Sequence, residues 1–343
     1  MEKKQPFDLA LVGCGDVAGS YLDNVGSADS VRITKLMDVN GETAKTLSEK
    51  YGIPWTDSYE DVLRDESIYG VIISTPHNLH YPMVVQAAEA GKRILCDKPI
   101  SSNVADGAKM IEECRRLGAS LSVNYALRYV TCILKMKEII EAGCLGKIYY
   151  IKTELLTRKY DGYWEKGWRK RVTTDWRRSM EKAGGGVLLM NSSHTLDWLH
   201  FITGLKAVTT TGFSGTYKKY EKPIEVEDTA AGVMRLDNGG IMQVTALSAF
   251  PVNYNDTTII TGDRGVIENI NGIVRIYLNE PCGGYKASEW INIDTGENGN
   301  DHGTAYGRYL QKWGEMQADG SGVPVTGEDA LYALKVVKDV YGL

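Results

Sequence analysis

Between Phe7 and about Asn124, short apolar runs alternate with amphipathic stretches. Leu9–Val12 is an apolar run that enters a glycine-rich turn, and a helical pattern follows the turn. Val31–Asp38 predicts a second strand and Glu42–Tyr51 a helix. Gly70–Ser74 reads as a buried strand, Pro82–Ala90 as a helix closed by Gly91, and Arg93–Cys96 as a strand. Val104–Leu117 predicts a helix closed by Gly118, and Ser120–Val123 a further strand. Strands and helices alternating in this way predict a parallel sheet covered on both faces.

After Asn124 the pattern changes. Leu134–Ala142 continues helical, with Gly143 as its stop. Lys147–Thr157 then alternates apolar and polar positions, as a half-exposed strand does. Ala207–Phe213, Ala230–Leu236, Ile241–Leu247, Thr257–Thr261, Val266–Ile270 and Val274–Leu278 read the same way. Asp237-Asn238-Gly239 and Asn271-Gly272 have the chemistry of hairpin turns. Two helices close the chain, roughly Ala305–Gln317 and Glu328–Tyr341. The expected fold class is α/β. One domain covers residues 1–124. A second, α+β domain covers 125–343, with a large, mostly antiparallel open sheet. The C-terminal helices are candidates to pack back on the first domain. Such a sheet has one face on the core and one free, and the free face is the expected subunit interface of a homo-oligomer.

Composition refines this picture. A chain of 343 residues accommodates two domains, and 43% apolar and 24% charged residues are ordinary for a globular protein. A formal charge of -5 argues against nucleic acid and anionic membrane as partners. No apolar run approaches the ~20 residues of a membrane span. The short run after Lys3 and Lys4 contains Asp8 and reads as a strand, not a signal peptide. Cysteines 14, 96, 114, 132, 144 and 282 form no CxxC pair and no zinc spacing. The simplest reading is free thiols in a reducing cytoplasm, with Cys14 a small filler. One segment stands apart. Arg158–Arg178 carries eight Lys/Arg against three Asp/Glu, a local +5 in an acidic chain, and five aromatics, Tyr160, Tyr163, Trp164, Trp168 and Trp176. Aromatic faces suit sugar rings and flat aglycones, and they also suit subunit contacts. Both readings stay open.

Candidate chemistry begins in the first turn. Gly13 allows a tight turn, Gly15 lets a pyrophosphate approach the backbone, and Ala18 lets the next helix pack closely on the strand. Asp38 ends the second strand, 23 residues after Gly15. A dinucleotide fold places there the carboxylate that accepts hydrogen bonds from the ribose hydroxyls. The next residue is Val39, not Arg or Lys, so NAD is favoured over NADP. Ser74-Thr75-Pro76 and Asp97-Lys98-Pro99 each follow a strand end, where ligands of open parallel sheets sit. Lys98 is either a residue at the nicotinamide end or an ordinary surface lysine. Gly184-Gly185-Gly186 precede a helix that carries His194, one of five histidines. His194 and Asp197 share a helix face, so the histidine is either a core residue paired with Asp197 or a general acid/base. No metal-ligand spacing is present, and no metal is expected.

At this point the residues carry a resemblance. GCGDVAG at 13–19, MD at 37–38, STPHNLHYP at 74–82 and AGKRILCDKP at 90–99 resemble the Gfo/Idh/MocA (glucose–fructose oxidoreductase / inositol dehydrogenase) family. NYALRY at 124–129, LGKI at 145–148, DWRR at 175–178, GGGVLLMNSSHTLD at 184–197 and VPVTGEDAL at 323–331 extend the likeness over nearly the whole chain. The resemblance implies a Rossmann domain, an open-sheet α/β domain, oligomers built on that sheet, and NAD(P)-dependent oxidation or reduction of a sugar, cyclitol, polyol or glycoside. It implies Lys98 and His194 as the catalytic residues. It implies cofactor contacts from Gly13, Gly15, Asp16, Val17, Ala18, Asp38, Ser74, Thr75, Pro76, Asn78, His80, Asp97, Lys98, Arg128, Trp176 and Arg177. Substrate contacts are expected from Lys98, Tyr125, Arg128, Tyr163, Trp164, Asn191, His194 and His302. A cis bond before Pro99 is expected. Where many members carry an Asp four residues before the histidine, this chain has Met190, a departure from the usual Lys–Asp–His triad. The expected reaction is hydride transfer between a secondary hydroxyl and the nicotinamide, with His194 moving the proton and Lys98 stabilising charge on oxygen. The alternatives are a glycosidase that oxidises its substrate transiently with resident NAD, and a non-catalytic sugar- or NAD-sensing regulator.

Overall fold

The computed structural model describes residues 5–254, 256–296 and 302–343. The chain forms two compact units. The first takes the chain through Ala126, then Gly162–Gly184 and Gly303–Leu334. The second takes Leu127–Asp161, Gly185–His302 and Lys335–Leu343.

In the first unit the strands are β1 (Phe7–Val12), β2 (Val31–Met37), β3 (Trp55–Thr56), β4 (Gly70–Ile73), β5 (Arg93–Asp97) and β6 (Leu121–Asn124). The helices are α1 (Ala18–Asn24), α2 (Gly41–Tyr51), α3 (Tyr59–Arg64), α4 (His77–Glu89) and α5 (Val104–Arg116). The strands form one sheet in the order β3-β2-β1-β4-β5-β6, parallel throughout. All four residues of β4 and the last four of β5 are buried, as strands covered on both faces require. Strand order reverses between β1 and β4, so the carboxyl ends there open onto the crevice where ligands bind. Short β3 and α3 carry too little periodicity to be read from sequence.

One boundary differs from the sequence reading. Helix α4 starts at His77, five residues before Pro82, which lies inside it. A proline suits the first helical position and so marks Pro82 as a start. Here it is tolerated one turn further in, and the extra turn brings His77 and His80 into the buried interior.

Two short helices, α7 (Tyr163–Lys166) within the basic segment and α8 (Met180–Ala183) just after it, also belong to the first unit. So does most of α10 (His302–Asp319). Its Tyr309 hydroxyl bonds Ser122 at 2.7 Å and the Val123 carbonyl at 2.8 Å, which docks the helix on β6.

The second unit holds α6 (Thr131–Glu141), α9 (Ser193–Thr203), the end of α11 (Gly327–Tyr341) and eight strands. These are β7 (Ile148–Leu156), β8 (Ala207–Gly215), β9 (Thr229–Leu236), β10 (Ile241–Leu247), β11 (Asp256–Gly262), β12 (Gly265–Ile270), β13 (Ile273–Leu278) and β14 (Trp290–Asn292). Their order is β14-β13-β12-β11-β7-β10-β9-β8, antiparallel except for the central β7–β10 pair. Asn271 and Gly272 form the two-residue β12–β13 hairpin, both at positive φ (51° and 87°), as a type I′ turn requires. Strand β9 alternates cleanly between buried and exposed residues. The exposed face carries Phe213, Val233 and Ile241 at 84%, 42% and 41% exposure.

The cysteine expectation is corrected. Cys144 and Cys282 form a disulfide with Cα atoms 5.3 Å apart, while Cys14, Cys96, Cys114 and Cys132 are free and buried. The paired residues lie 138 positions apart, so only the tertiary fold brings them together.

Candidate active site

The nucleotide half is built on β1 and β2. Gly13 has φ +95°, and a Cβ there would lie 2.7 Å from the Ser74 carbonyl oxygen. Only glycine fits both the dihedral and the approach of β4. Asp38, at the end of β2, accepts the Cys14 N–H at 2.8 Å and the Asn40 N–H at 2.9 Å. Its carboxylate is thereby fixed beside the glycine turn, half-buried, with lone pairs still open. Val39 is 84% exposed and brings no positive charge. A Cβ at Gly15 would meet nothing within 4 Å. The space over the turn is therefore open, as a bound pyrophosphate needs.

The carboxyl ends of β4 and β5 supply the next residues. The Ser74 hydroxyl donates to the Gly13 carbonyl at 2.8 Å, which ties the two loops. Buried His80 bridges the Thr75 carbonyl (Nε2, 3.0 Å) and the Pro99 carbonyl (Nδ1, 2.9 Å). Burial pushes its pKa down, so the neutral ring donates to one carbonyl at a time. The Lys98–Pro99 bond is cis. Lys98 is half-buried directly after β5. Its neighbour Asp97 is buried, and its pKa is pushed up to about 6 by desolvation, against the opposing pull of Lys98, Asn124 and Tyr21. Asn124 and Tyr21 donate to Asp97 Oδ1 at 3.1 and 3.3 Å. Thr75 Oγ1 and Asn78 Oδ1 are shielded from solvent and have no hydrogen-bond partner among the described residues. Polar atoms left this way at a strand-end crevice are suited to a ligand.

The basic segment folds against this half. Trp176 packs edge-on against His77, 4.6 Å between centroids, and Arg177 lies 4.7 Å over the Trp176 ring. Arg177 also reaches Asp16 at 3.5 Å, with both side chains buried. His77 holds the Ala183 carbonyl at 2.7 Å, and desolvation keeps its pKa well below the usual histidine value. The sequence reading missed His77; the STPHNLH run was the available signal. Tyr163 and Trp164 are buried, at 5% and 1% exposure, and pack on each other. Trp168, at 49%, keeps an open aromatic surface. Tyr125 is wholly buried after β6.

In the second unit Gly185 and Gly186 lead into a π-helical turn, Leu188–Ser192, which runs straight into α9. Glu227 organises this turn. Its carboxylate accepts the Gly186 N–H at 2.5 Å, the Leu188 N–H at 2.8 Å and the Tyr341 hydroxyl at 2.7 Å. Those amides would otherwise be unsatisfied at the start of a helical segment. A Cβ on Gly186 would collide with the Glu227 carbonyl oxygen. Desolvation raises the Glu227 pKa, and the three donors oppose it. Sequence reasoning missed Glu227, which is 41 residues from the turn it holds.

Asn191 and His194 are half-buried on this turn and the first turn of α9, and Met190 is buried. Asp197 does not depend on His194 for a partner. Arg128 holds both its oxygens, at 2.8 and 2.7 Å, in a pair whose side chains are 5% and 1% exposed. Arg128 thus anchors the buried side of α9. His302 is exposed at the start of α10. Among the described residues, no group of three or more His, Cys, Asp or Glu is placed to hold a metal ion. No described helix is long and apolar enough to cross a membrane.

The profile of the oxidoreductase family with an NAD-binding Rossmann fold matches residues 7–125, and that of its C-terminal alpha/beta domain matches residues 137–341. The chain belongs to the Gfo/Idh/MocA oxidoreductase family. It is an oxidoreductase with an NAD-binding domain, in keeping with the open turn at Gly15, the fixed carboxylate of Asp38 and the unpartnered Thr75 and Asn78 atoms. Among relatives, it is 27% identical over 205 residues to an uncharacterized oxidoreductase of Streptococcus pneumoniae, covering 59% of this chain and about half (52%) of that protein. It is 26% identical over 270 residues to D-glucoside 3-dehydrogenase of Escherichia coli, covering 74% of this chain and 73% of that one. The fold matches the WlbA dehydrogenase of Bordetella pertussis, solved with NADH and UDP-GlcNAcA, with TM-score 0.84 at 21% identity over 100% of this chain and 96% of that one.

Proposed function

We propose that this Gfo/Idh/MocA protein is an NAD-dependent dehydrogenase acting on a secondary hydroxyl of a sugar, cyclitol or glycoside. The observation that carries the reading is Lys98, half-buried immediately after β5 at the carboxyl edge of the dinucleotide-binding sheet. Bound NAD would supply the hydride acceptor for the carbinol carbon. His194 accepts the hydroxyl proton, and in the reverse direction returns it. Lys98 stabilises the negative charge that develops on oxygen, a role worth a few kcal/mol in comparable sites. The carbinol becomes a carbonyl, so the two electrons and the proton are all accounted for. Asn191, one helical turn before His194, is the candidate to orient the sugar hydroxyl.

Two features support the assignment of roles. Arg128 satisfies Asp197, so His194 is not required as the structural partner of that carboxylate. The buried Met190 stands where an acidic relay would be, which leaves proton handling to His194. The Escherichia coli relative, a D-glucoside 3-dehydrogenase by name, favours glycosides among the substrates. Exposed Trp168 would give such a substrate a stacking surface. Copies of the chain would associate through the face that carries Phe213, Val233 and Ile241; a monomer in sedimentation velocity at micromolar concentration contradicts this.

The test is NADH formation at 340 nm over a panel of free sugars, inositols and aryl glycosides. Net NADH with at least one class supports the dehydrogenase, and highest kcat/KM with glycosides supports the narrower substrate. Sugar release without net NADH would indicate the transient-oxidation glycosidase. Binding without any turnover would indicate a sensor.

A further inference from the structure

The basic segment brings two arginines to the nucleotide turn that neither motif nor family profile assigns. A Cβ on Gly19, in α1, would lie 2.6 Å from Arg169 Nη1 and 2.6 Å from Arg171 Nη2. The absence of a side chain at Gly19 is what admits both guanidinium groups. Their charges are not equivalent. Arg169 is paired with Asp23 at 3.2 Å. Arg171 Nη1 is shielded from solvent and has no hydrogen-bond partner among the described residues. The Arg171 charge also reaches Cys14, inside the turn, and there opposes the charge of Asp38 on the thiol. Arg171 therefore stands beside the turn with a donor unused. A shielded guanidinium donor left unpaired is costly, and the group that relieves it is an oxyanion. The space over Gly15, the residue after Cys14, is open.

We propose that Arg171, with Arg169 behind it, is a ligand for the diphosphate bridge of the bound dinucleotide. Arg171 donates a charge-assisted hydrogen bond from Nη1 to a phosphate oxygen, and Arg169, anchored by Asp23, adds positive charge and holds the segment in place. This explains why an acidic chain concentrates six Lys/Arg against two Asp/Glu in residues 162–178, which belong to the nucleotide-binding unit. It also gives that segment a function separate from sugar stacking. The inference rests on dinucleotide binding and not on the substrate reading, so the two can fail separately.

The experiment is calorimetric binding of NADH, NADPH, ADP and adenosine to the full-length protein and to Arg171→Ala, Arg171→Lys and Lys170→Ala. Losing one charge-assisted contact predicts about 10- to 100-fold weaker binding of both NADH and ADP to Arg171→Ala. Adenosine, which has no phosphate, should bind unchanged, and this also verifies that the turn is folded. Arg171→Lys should recover part of the loss. Lys170→Ala removes the same charge from the exposed neighbour and should change NADH binding by less than about threefold. Equal NADH and ADP affinities for Arg171→Ala and the parent would overturn the proposal. So would a loss confined to NADPH, which would place Arg171 at a 2′-phosphate, or an equal loss for adenosine, which would make its role structural.

Discussion

Asp97 shows what one buried charge does to this molecule. Burial raises its folded pKa to about 6 from 3.8. Between these values the folded state binds a proton that the unfolded state has released. Stability therefore falls as pH rises through that window, and the penalty is complete above about pH 6 and absent below about pH 4. Two units correspond to about 3 kcal/mol. Asp97→Asn removes the charge, so its stability relative to the parent should be higher at pH 7 than at pH 4 by up to that amount. Urea unfolding at the two pH values measures it, and a difference that does not change with pH would mean that Asp97 does not titrate in this range. The neighbouring Lys98 charge opposes the rise in the Asp97 pKa. At this scale the sequence was informative where a motif marks a position, as with Asp38 and Lys98 directly after β2 and β5. It was silent on Glu227 and Arg171, whose close approaches to Gly186 and Gly19 no local spacing encodes.

At the scale of elements, the π-helical turn before α9 is the piece whose integrity matters most. Glu227 satisfies its first amides from a distant segment, and Arg128 secures Asp197 one turn beyond His194. Each unsatisfied buried amide costs about 1–3 kcal/mol. Glu227→Ala, which strands two of them, should lose about 2–6 kcal/mol of stability in urea unfolding. Glu227→Gln keeps an acceptor oxygen and should lose less. If Glu227 positions His194, Glu227→Gln lowers kcat and shifts its pH profile while NADH affinity in the first unit stays the same. A normal kcat and profile would restrict Glu227 to stability. Most strands and helices were legible from apolar periodicity because their burial alternates with the expected period, as in β9. The exceptions have local causes. Pro82 imitates a helix start, β3 and α3 are too short to show a period, and a π-turn has no sequence signature distinct from an α-helical one.

For the whole molecule, the two sheets and their connectivity classes followed from the change of hydrophobic period near Asn124. The C-terminal helices were already candidates to pack back on the first unit, as Gly303–Leu334 does. The return of the chain to that unit at Gly162–Gly184 did not follow, because it depends on long-range contacts such as Arg177 with Asp16. The Cys144–Cys282 bond was hidden for the same reason. The proposed reaction assigns charge stabilisation to Lys98 and proton transfer to His194 on one substrate hydroxyl. The most direct measurement is steady-state NADH formation with the best substrate of the panel, alongside NADH binding, for the parent, Lys98→Ala and His194→Ala. The account predicts that each variant loses at least about 100-fold in kcat/KM, about 3 kcal/mol of transition-state stabilisation, while NADH still binds. Near-parental turnover by His194→Ala across the pH range would contradict it.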